Sequence, residues 1–420
     1  MAREMKDSGV EWIGEIPEEW NLTKLKFCTD IIMGQSPDSD FITGAGNILF
    51  MQGNREFGEK FPTPTLYCDK CSKHSRIGDI LLSVRAPVGA INESDKVYGI
   101  GRGLCSIQGK GIDNDFLKYY LMKSVADLKY YSNGSTFDAI TVDILNNFCI
   151  SLPPYKEQVI IGKELNAKME YVAIAIKNIG KIIEDYKKFR KAIIIKTTTK
   201  GIRHNICMKP TDSEWIGDIP EHWDYVRIGT LFQTVDERND DPDAQLLSLY
   251  TALGVKPRSE LEERGNKAVT VQNYKIVHKN DIIVNKLLAW MGAIGYSDYE
   301  GVTSPDYDVY RAKEGANVVR SFYNNYFRYT CFNGDCFKYG HGIMLMRWRT
   351  YPEEFLRIKV PNPPYDEQVE IAEYLDKKIP EIDKLISEKE ELIKELENYK
   401  KSLIYEYVTG KKEVPVENVR

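Results

Sequence analysis

The chain has 420 residues and a mass of 48.3 kDa, which is enough for two or three domains. Hydrophobic residues make up 42% and charged residues 28%, as in ordinary globular proteins, and no apolar run reaches the roughly 18 residues that a membrane span needs. The net charge of −5 argues against a protein that coats nucleic acid non-specifically, because such proteins usually carry a large positive surplus.

The N-terminal segment leads into a sequence that occurs twice. Residues 1–7 lack the apolar core of a signal peptide, so we expect the protein in the cytoplasm. Residues 11–20 read EWIGEIPEEW and residues 214–223 read EWIGDIPEHW, with eight of the ten positions identical. This match, with both tryptophans in register, predicts an internal repeat in which each half of the chain forms one structural unit.

The residues after each copy predict a mixed α/β globule. About 130 residues in each half are rich in short Val, Ile, Tyr and Phe runs broken by Gly, Pro and Asn. Two of these runs, 80–84 and 281–284, predict strands at matching positions of the two halves. The segments that follow these strands differ, so similar frames are expected to hold unlike polar loops.

Several predicted loops carry side chains suited to nucleic acid. Glutamine can pair with adenine, and arginine with guanine, through two hydrogen bonds in the major groove. Any one of these side chains is explained as well by a solvated surface residue or a structural arginine, but the set as a whole favours DNA binding. The candidates are Gln35, Ser36, Arg55, Arg85 and Arg102 in the first half, and Arg238, Asn239, Lys286, Trp290, Tyr307, Arg347 and Arg349 in the second.

A second repeated sequence, PPYKEQV at 153–159 and PPYDEQV at 363–369, precedes a heptad pattern in each half. Two prolines can precede a helix, and Glu157 in the first turn suits the helix dipole. The pattern predicts coiled-coil helices that stop at Gly201 and Gly410. The apolar heptad positions are Leu165, Met169, Val172, Ile176, Ile179, Ile183, Tyr186 and Ile193 in the first helix, and Leu375, Ile379, Ile382, Ile386, Ile393, Leu396 and Leu403 in the second.

Neither long helix can bury its apolar stripe alone. The simplest partner is the other helix of the same chain, because a partner in the same chain is always at high effective concentration. The alternative is a coiled coil that joins two separate chains.

In this order, the features resemble the specificity subunits of type I restriction-modification enzymes over nearly the whole chain. MKDSGVEWIG at 5–14 resembles the family's opening, and GDILLSVRAPVG at 78–89 is similar to part of one type of target recognition domain. NKLLAW at 285–290, with SPDY at 304–307, resembles another type of recognition domain. Each Pro-Pro followed by Glu-Gln matches the start of the family's spacer helices.

The resemblance implies an α+β fold with two α/β target recognition domains separated by two long antiparallel coiled-coil helices, related by a pseudo-twofold internal repeat. On this basis the recognition domains are residues 1–152 and 202–361, the spacer helices are 153–201 and 362–410, and residues 411–420 form a C-terminal tail. Each recognition domain is expected to read one half of a split target in double-stranded DNA.

The resemblance also places the chemistry in partner subunits. Two modification subunits would use S-adenosylmethionine to methylate adenine, and two restriction subunits, when present, would translocate and cut DNA with ATP and magnesium. The chain itself is expected to catalyse no reaction and to bind no cofactor.

Two other functions compete with this interpretation. NPPY at 362–365 spells the catalytic signature of adenine-N6 methyltransferases, in which the tyrosine stacks on a flipped base. Against that function, the equivalent residue of the first half is Leu152, and no convincing glycine-rich cofactor loop lies upstream. A coiled-coil scaffold for protein partners would explain the helices, but not two unlike domains in similar frames.

The cysteines give one candidate metal site. Cys68 and Cys71 form a CxxC pair, but a structural zinc site needs two more ligands and no second pair has suitable spacing. Cys105 or His74 could complete such a site, yet the sequence favours ordinary reduced thiols and no bound metal.

Overall fold

The structure is a computed structural model that describes residues 3–132, 139–251, 253–260, 270–329, 332–342 and 348–415. The chain divides into two compact units, the first made of residues 1–179 with 391–420 and the second of residues 180–390. Each unit therefore contains one mixed domain, the start of the long helix that follows it and the end of the other long helix. None of the described helices combines the length and the apolar character that crossing a membrane requires.

The first unit consists of short strands with helices packed against them. Two 3-10 helices, Ser39–Phe41 and Asn54–Glu56, lie in its loops. Its strands are β1 Met5–Asp7, β2 Glu15–Pro17, β3 Asn21–Lys24, β4 Thr29–Met33, β5 Leu49–Met51, β6 Leu66–Tyr67, β7 Ile80–Ser83, β8 Ile91–Glu93, β9 Gly99–Ile100, β10 Leu104–Gly109 and β11 Cys149–Leu152. Its helices are α1 Leu25–Cys28, α2 Asn114–Lys123, α3 Val125–Ser132, α4 Val142–Asn147 and the first part of α5 Tyr155–Lys200.

The second unit has a similar order of elements, with one more strand and with its 3-10 helices at other positions. Its 3-10 helices are Arg258–Glu260 and Ala289–Met291. Its strands are β12 Met208–Pro210, β13 Asp218–Pro220, β14 Asp224–Arg227, β15 Phe232–Val235, β16 Leu247–Tyr250, β17 Gly254–Pro257, β18 Lys275–Val277, β19 Ile282–Asn285, β20 Ile294–Tyr296, β21 Gly301–Thr303, β22 Tyr307–Ala312 and β23 Lys359–Asn362. Its helices are α6 Ile228–Leu231, α7 Arg320–Tyr329, α8 Phe332–Tyr339, α9 Pro352–Arg357 and the first part of α10 Tyr365–Val408.

The central sheets of the two units have the same topology. The first has the strand order β4-β10-β7-β8 and the second has the order β15-β22-β19-β20, with antiparallel neighbours throughout. The inner strands β7 and β19 are buried at every residue, which explains why both appear in the sequence as continuous apolar runs. The predicted internal repeat is confirmed.

The two long helices pair within the chain. In the second unit, Arg190 contacts Asp383 at 2.7 Å and Lys187 contacts Glu390 at 3.6 Å, so the helices run antiparallel. Every predicted heptad position is buried or half-buried. Gly201 and Gly410 follow the helices with φ of 75° and 72°, in the left-handed region that favours glycine, and their predicted role as helix stops is confirmed.

The two repeated sequences meet at the start of each long helix. The fully buried indole of Trp20 donates its Nε1–H to Glu157 at 3.1 Å, and Trp223 donates likewise to Glu367 at 2.9 Å. An arginine completes each pair, since Arg3 contacts Glu157 at 2.7 Å and Arg203 contacts Glu367 at 2.8 Å. The glutamate of each repeat is therefore a buried hydrogen-bond acceptor, in addition to its favourable position at the N-terminus of a helix dipole.

The glutamine next to each of these glutamates ties the helix start to its domain. Gln158 donates to the carbonyl of Pro153 at 2.8 Å and accepts from the backbone N–H of Asp113 at 2.9 Å. Gln368 donates to the carbonyl of Pro363 at 2.9 Å and accepts from the backbone N–H of Val319 at 2.8 Å. The repeated Pro-Pro-Tyr-x-Glu-Gln sequence is thus a structural joint in both units.

Candidate nucleic-acid interface

Three segments of the first unit meet at one end of its central sheet. The N–H of Gly34 donates to the carbonyl of Leu104 at 2.9 Å, and the N–H of Gln35 donates to that of Ile100 at 3.0 Å. The N–H of Gly101 donates to the carbonyl of Met51 at 2.7 Å. These bonds bring together a group that we call the first surface, which consists of Gln35, Ser36, Gln52, Arg55, Arg85 and Arg102.

Glycine is required where two of these segments cross. A Cβ atom on Gly34 would lie 2.2 Å from the carbonyl oxygen of Gly101, and a Cβ on Gly101 would lie 2.8 Å from the Cα atom of Gln52. Since real Cβ contacts are never this short, any side chain at either position would push the segments apart. The glycines of the two loops therefore serve close packing between segments.

The two arginines of the first surface leave adjacent strands at the same end. In the pairing of β7 with β10, Ser83 is opposite Leu104, and the N–H of Val84 donates to the carbonyl of Gly103 at 2.9 Å. If the same register is continued beyond the strands, Arg85 lies opposite Arg102. Both arginines are exposed. Among the described residues neither guanidinium has a carboxylate partner.

Two amides lie beside the arginines. Gln52 donates from Nε2 to the hydroxyl of Ser36 at 2.6 Å, and Ser72 donates its hydroxyl to Oε1 of Gln35 at 3.1 Å. Sequence reasoning selected Gln35 and Ser36 but missed Gln52, although it stands directly before the loop that contains Arg55. Arg55 is exposed in the 3-10 helix that begins two residues after Gln52.

The second unit gathers its candidates at the equivalent end of its sheet. Asn285 at the end of β19 pairs with Tyr307 at the start of β22. The next residue of β22, Asp308, is buried, and it contacts Lys275 at 3.1 Å and Lys286 at 3.7 Å. We call the group around this aspartate the second surface, which consists of Arg238, Lys275, Lys286, Trp290, Tyr307, Asp308 and Arg349.

Arg238, Lys275 and Lys286 of the second surface are held by acidic side chains. Arg238 contacts Asp236 at 2.6 Å and donates to the carbonyl of Asn273 at 3.2 Å. Asp236 also lies 3.8 Å from Lys275, which joins Arg238 to the group around Asp308. These cations therefore have partners before any DNA arrives.

Three further predicted residues of the second half differ in how far they are buried in the fold. Trp290 donates to the carbonyl of Leu287 at 3.0 Å and packs edge-on against Phe337 with ring centroids 6.0 Å apart. Tyr307 is half-buried, and this burial raises the pKa of its hydroxyl. Arg349 is exposed, and it lies next to Thr350, whose N–H donates to the carbonyl of Lys286 at 3.0 Å. Arg347 lies outside the described residues.

Asn239 is buried and forms part of a turn. Its amide donates to the carbonyl of Asp241 at 2.6 Å and to that of Val271 at 3.1 Å, and its oxygen accepts from the N–H of Asp241 at 3.2 Å. Both amide hydrogens are thus used within the fold, which leaves none for a base. We therefore place Asn239 outside the second surface.

The NPPY sequence lies in the structural joint of the second unit. Asn362 is buried at the end of β23, and its Oδ1 accepts from the hydroxyl of Tyr323 at 2.9 Å and from Gln368 at 3.1 Å. Tyr365 begins α10 and is exposed. The asparagine oxygen is thus engaged within the fold, as a structural residue would be.

Cys68 and Cys71 are buried behind the first surface. The Sγ of Cys71 lies 3.1 Å from Nε2 of His74, and burial raises the pKa of the Cys71 thiol to about 11. In the part of the chain that the structure describes, no three metal-ligating side chains are placed to hold an ion. The pair supports the segment that carries Ser72.

The sequence matches a known family twice. The model for the type I restriction modification DNA specificity domain matches residues 17–185 and 220–398. The chain is 40% identical over 187 residues to a Methanocaldococcus jannaschii protein provisionally named type I restriction enzyme MjaX specificity subunit. This match covers 43% of the chain and 44% of that protein. It is 24% identical over 264 residues to the MjaIX specificity subunit of the same organism, over 56% of each chain. The matches thus span about half the length of these curated relatives.

Solved structures share the fold. A chain from a structural study of complex assembly and conformational transition of the type I R-M system has a TM-score of 0.72 at 15% identity, covering 94% of this chain and 99% of that one. The HsdS subunit from Thermoanaerobacter tengcongensis has a TM-score of 0.55 at 14% identity, covering 97% and 100%. Because the family model matches most of the sequence, the chain belongs to the family of type I restriction-modification specificity subunits.

Proposed function

We propose that the chain is the non-catalytic DNA-reading subunit of a type I restriction-modification complex in the cytoplasm. Each unit reads one half of an asymmetric, split target in double-stranded DNA. Two modification subunits, which bind S-adenosylmethionine, methylate adenine in the target that the chain selects. Two restriction subunits, when present, translocate and cut DNA with ATP and magnesium.

One observation carries the proposal. The same sheet topology and the same Trp-Glu joint occur in both units, but the two surfaces differ. The first presents amides and two arginines that have no carboxylate partner among the described residues, whereas the second presents cations held by aspartates. Two unlike surfaces on one repeated frame fit a target whose halves differ, since identical halves would need identical surfaces. Arg85 and Arg102 in the first unit, and Lys286 and Arg349 in the second, are suited to bases and phosphates.

The competing methyltransferase function is less well supported. The oxygen of Asn362 already accepts hydrogen bonds from Tyr323 and Gln368, and the asparagine lies in a joint that the first unit builds with Leu152 in its place. A catalytic asparagine must be free to hold the amino group of a flipped base. The buried position therefore favours a structural role for NPPY.

Methylation mapping tests the proposal. Genomic DNA from cells with and without the gene should differ in one methylated adenine motif made of two unlike parts separated by unread bases. A motif that persists without the gene would contradict the proposal, as would a symmetric motif. A complex that methylates without regard to sequence would favour the scaffold function instead.

A variant pair tests the catalytic alternative. Asn362→Ala should leave the methylation rate of the assembled complex near normal, because the reaction takes place in the modification subunits. Tyr323→Phe is the matched control, since it removes the same 2.9 Å hydrogen bond without touching NPPY. A loss of methylation by orders of magnitude in Asn362→Ala alone, with DNA binding intact, would assign catalysis to this chain.

A further inference from the structure

We infer that Gln52 reads an adenine in the half-site bound by the first unit. The inference rests on the proposed function and adds to it a specific residue and a specific base pair. It follows from the position of Gln52, from the direction of its amide and from the charges beside it.

Gln52 is fixed at the centre of the first surface. Its carbonyl oxygen accepts from the N–H of Gly103 at 3.1 Å, which ties its backbone to the turn that carries Arg102. Its side chain lies over Gly101, where a Cβ atom would come within 2.5 Å of Oε1. Gln52 nevertheless remains exposed, so its amide is accessible from solvent.

The amide of Gln52 is oriented before any base arrives. Its Nε2 donates one hydrogen to the hydroxyl of Ser36 at 2.6 Å, and among the described residues no hydrogen bond engages Oε1 or the second N–H. Adenine presents an N6 donor and an N7 acceptor in the major groove, and a side-chain amide matches both. Because Ser36 restricts the long side chain, less conformational entropy is lost on binding.

Gln35 has a different role in the same surface. Its Oε1 already accepts one hydrogen bond from Ser72 at 3.1 Å, which leaves a single lone pair for the adenine N6–H. The free N–H groups of Gln35 suit an acceptor such as thymine O4 or a phosphate oxygen. Of the two amides, Gln52 therefore fits adenine better.

The charges beside Gln52 explain why a neutral side chain is useful at this position. Arg85 and Arg102 are exposed and have no carboxylate partner among the described residues, so they supply the attraction to phosphate or to guanine. A neutral amide adds no attraction between opposite charges to the phosphates. The contribution of Gln52 is therefore to the choice of base.

The test measures methylation by the complex of the full chain with its modification subunit, on duplexes whose first half-site is varied one base pair at a time. Gln52→Ala should reduce discrimination at one A·T pair by about 5- to 150-fold and leave the second half-site unchanged. Gln52→Glu should shift preference at that pair toward C·G, because a carboxylate accepts from cytosine N4.

Two further variants separate base reading from a structural role. Ser36→Ala should weaken discrimination at the same pair by less than Gln52→Ala, and Ser36→Thr, which keeps the hydroxyl, should restore it. Gln108→Ala is the control, because Gln108 lies near the far end of β10 and should leave every preference intact.

Each outcome decides the inference. Unchanged preference at every position in Gln52→Ala would overturn it, and so would a loss that is equal on all duplexes. Should Gln52→Ala fail to fold, Gln52→Glu and the two Ser36 variants decide the question by the same measurement. A wild-type complex with no base preference would instead refute the proposed function, whatever Gln52 does.

Discussion

At equivalent ends of matching strands, the first unit exposes Arg85 and Arg102, whereas the second holds Lys286 against the buried Asp308 at 3.7 Å. A cation that already has a partner must leave it, wholly or in part, before it can contact phosphate. An arginine with no carboxylate partner, as Arg85 and Arg102 are among the described residues, has no such ion pair to break. The comparison teaches that one repeated frame can support two surfaces with different electrostatics.

The prediction with the largest expected effect tests whether the Trp-Glu joint stabilises both units to the same extent. Glu157→Ala and Glu367→Ala each remove the buried acceptor of a tryptophan and the partner of an arginine. Each should destabilise its own unit by roughly 3 kcal/mol, because a buried tryptophan N–H loses its charged acceptor. Hydrogen exchange read separately over the two units measures the loss.

Glu19→Ala is the control for this pair. Glu19 is an exposed partner of Arg3, so its removal should change protection by less than about 1 kcal/mol. Strong destabilisation in only one of the two glutamate variants would show that the joints are not equivalent.

The next effect is a pH dependence in the second unit. Helix α3 of the first unit buries Leu128, whereas α8 buries Asp335, which accepts from Ser213 at 2.9 Å. Burial raises the pKa of Asp335 to about 6, above that of the unfolded chain. The stability linked to this carboxyl is therefore fully present below about pH 4 and is lost as the pH rises through 6.

Asp335→Asn should remove this dependence and stabilise the second unit above pH 7 by about 2–3 kcal/mol, measured by urea unfolding at pH 5 and pH 8. Asp212→Asn is the control of opposite sign, because the hydrogen bond from Lys359 lowers the pKa of Asp212. If Asp335→Asn were no more stable than wild type at pH 8, the buried carboxylate would not be the source of the pH dependence.

A smaller effect tests the unpaired arginines. Arg85→Ala or Arg102→Ala should weaken recognition of the first half-site by about 5- to 150-fold for a lost base contact. A lost phosphate contact should instead weaken binding to all sequences alike and lower the salt slope by about one. Methylation mapping and binding at several salt concentrations separate these cases. Altered preference in both half-sites would refute independent reading by the two units.

The smallest effect is expected from a paired cation. Arg238 already contacts Asp236 at 2.6 Å, so Arg238→Ala should reduce binding to the second half-site by less than about fivefold. The same salt series measures it, with Arg102→Ala as the reference. An Arg238 effect as large as that of Arg102 would show that the ion pairs of the second surface open readily on DNA.

Sequence patterns predicted the parts of this fold that depend on local periodicity or on repetition. The heptads predicted both long helices, and the repeated EWIG and Pro-Pro-Tyr sequences predicted two equivalent units. Contacts between distant residues could not be predicted in this way. Gln52 meets Ser36 across 16 residues and Lys275 meets Asp308 across 33, and neither spacing follows a helix or strand period.

The candidate site shows the same division. Neighbouring glycines pointed to Gln35 and Arg102, and the end of a predicted strand pointed to Arg85. The fold brings these three candidates to one sheet end. Residue type alone could not show that Asn239 folds a turn or that Trp290 packs against Phe337. Burial decides whether a polar or aromatic side chain faces solvent or the protein, and burial depends on the whole fold.

The division of the chain into units has a consequence for synthesis on the ribosome. The second unit is one continuous stretch, complete once residue 390 has emerged, whereas the core of the first unit includes Leu403, Ile404 and Tyr407 from the end of α10. At 5–20 residues per second, the first domain waits roughly 10 to 50 s for these side chains. During that time its apolar surface is open to chaperones, so the domain made first is the one that finishes folding last.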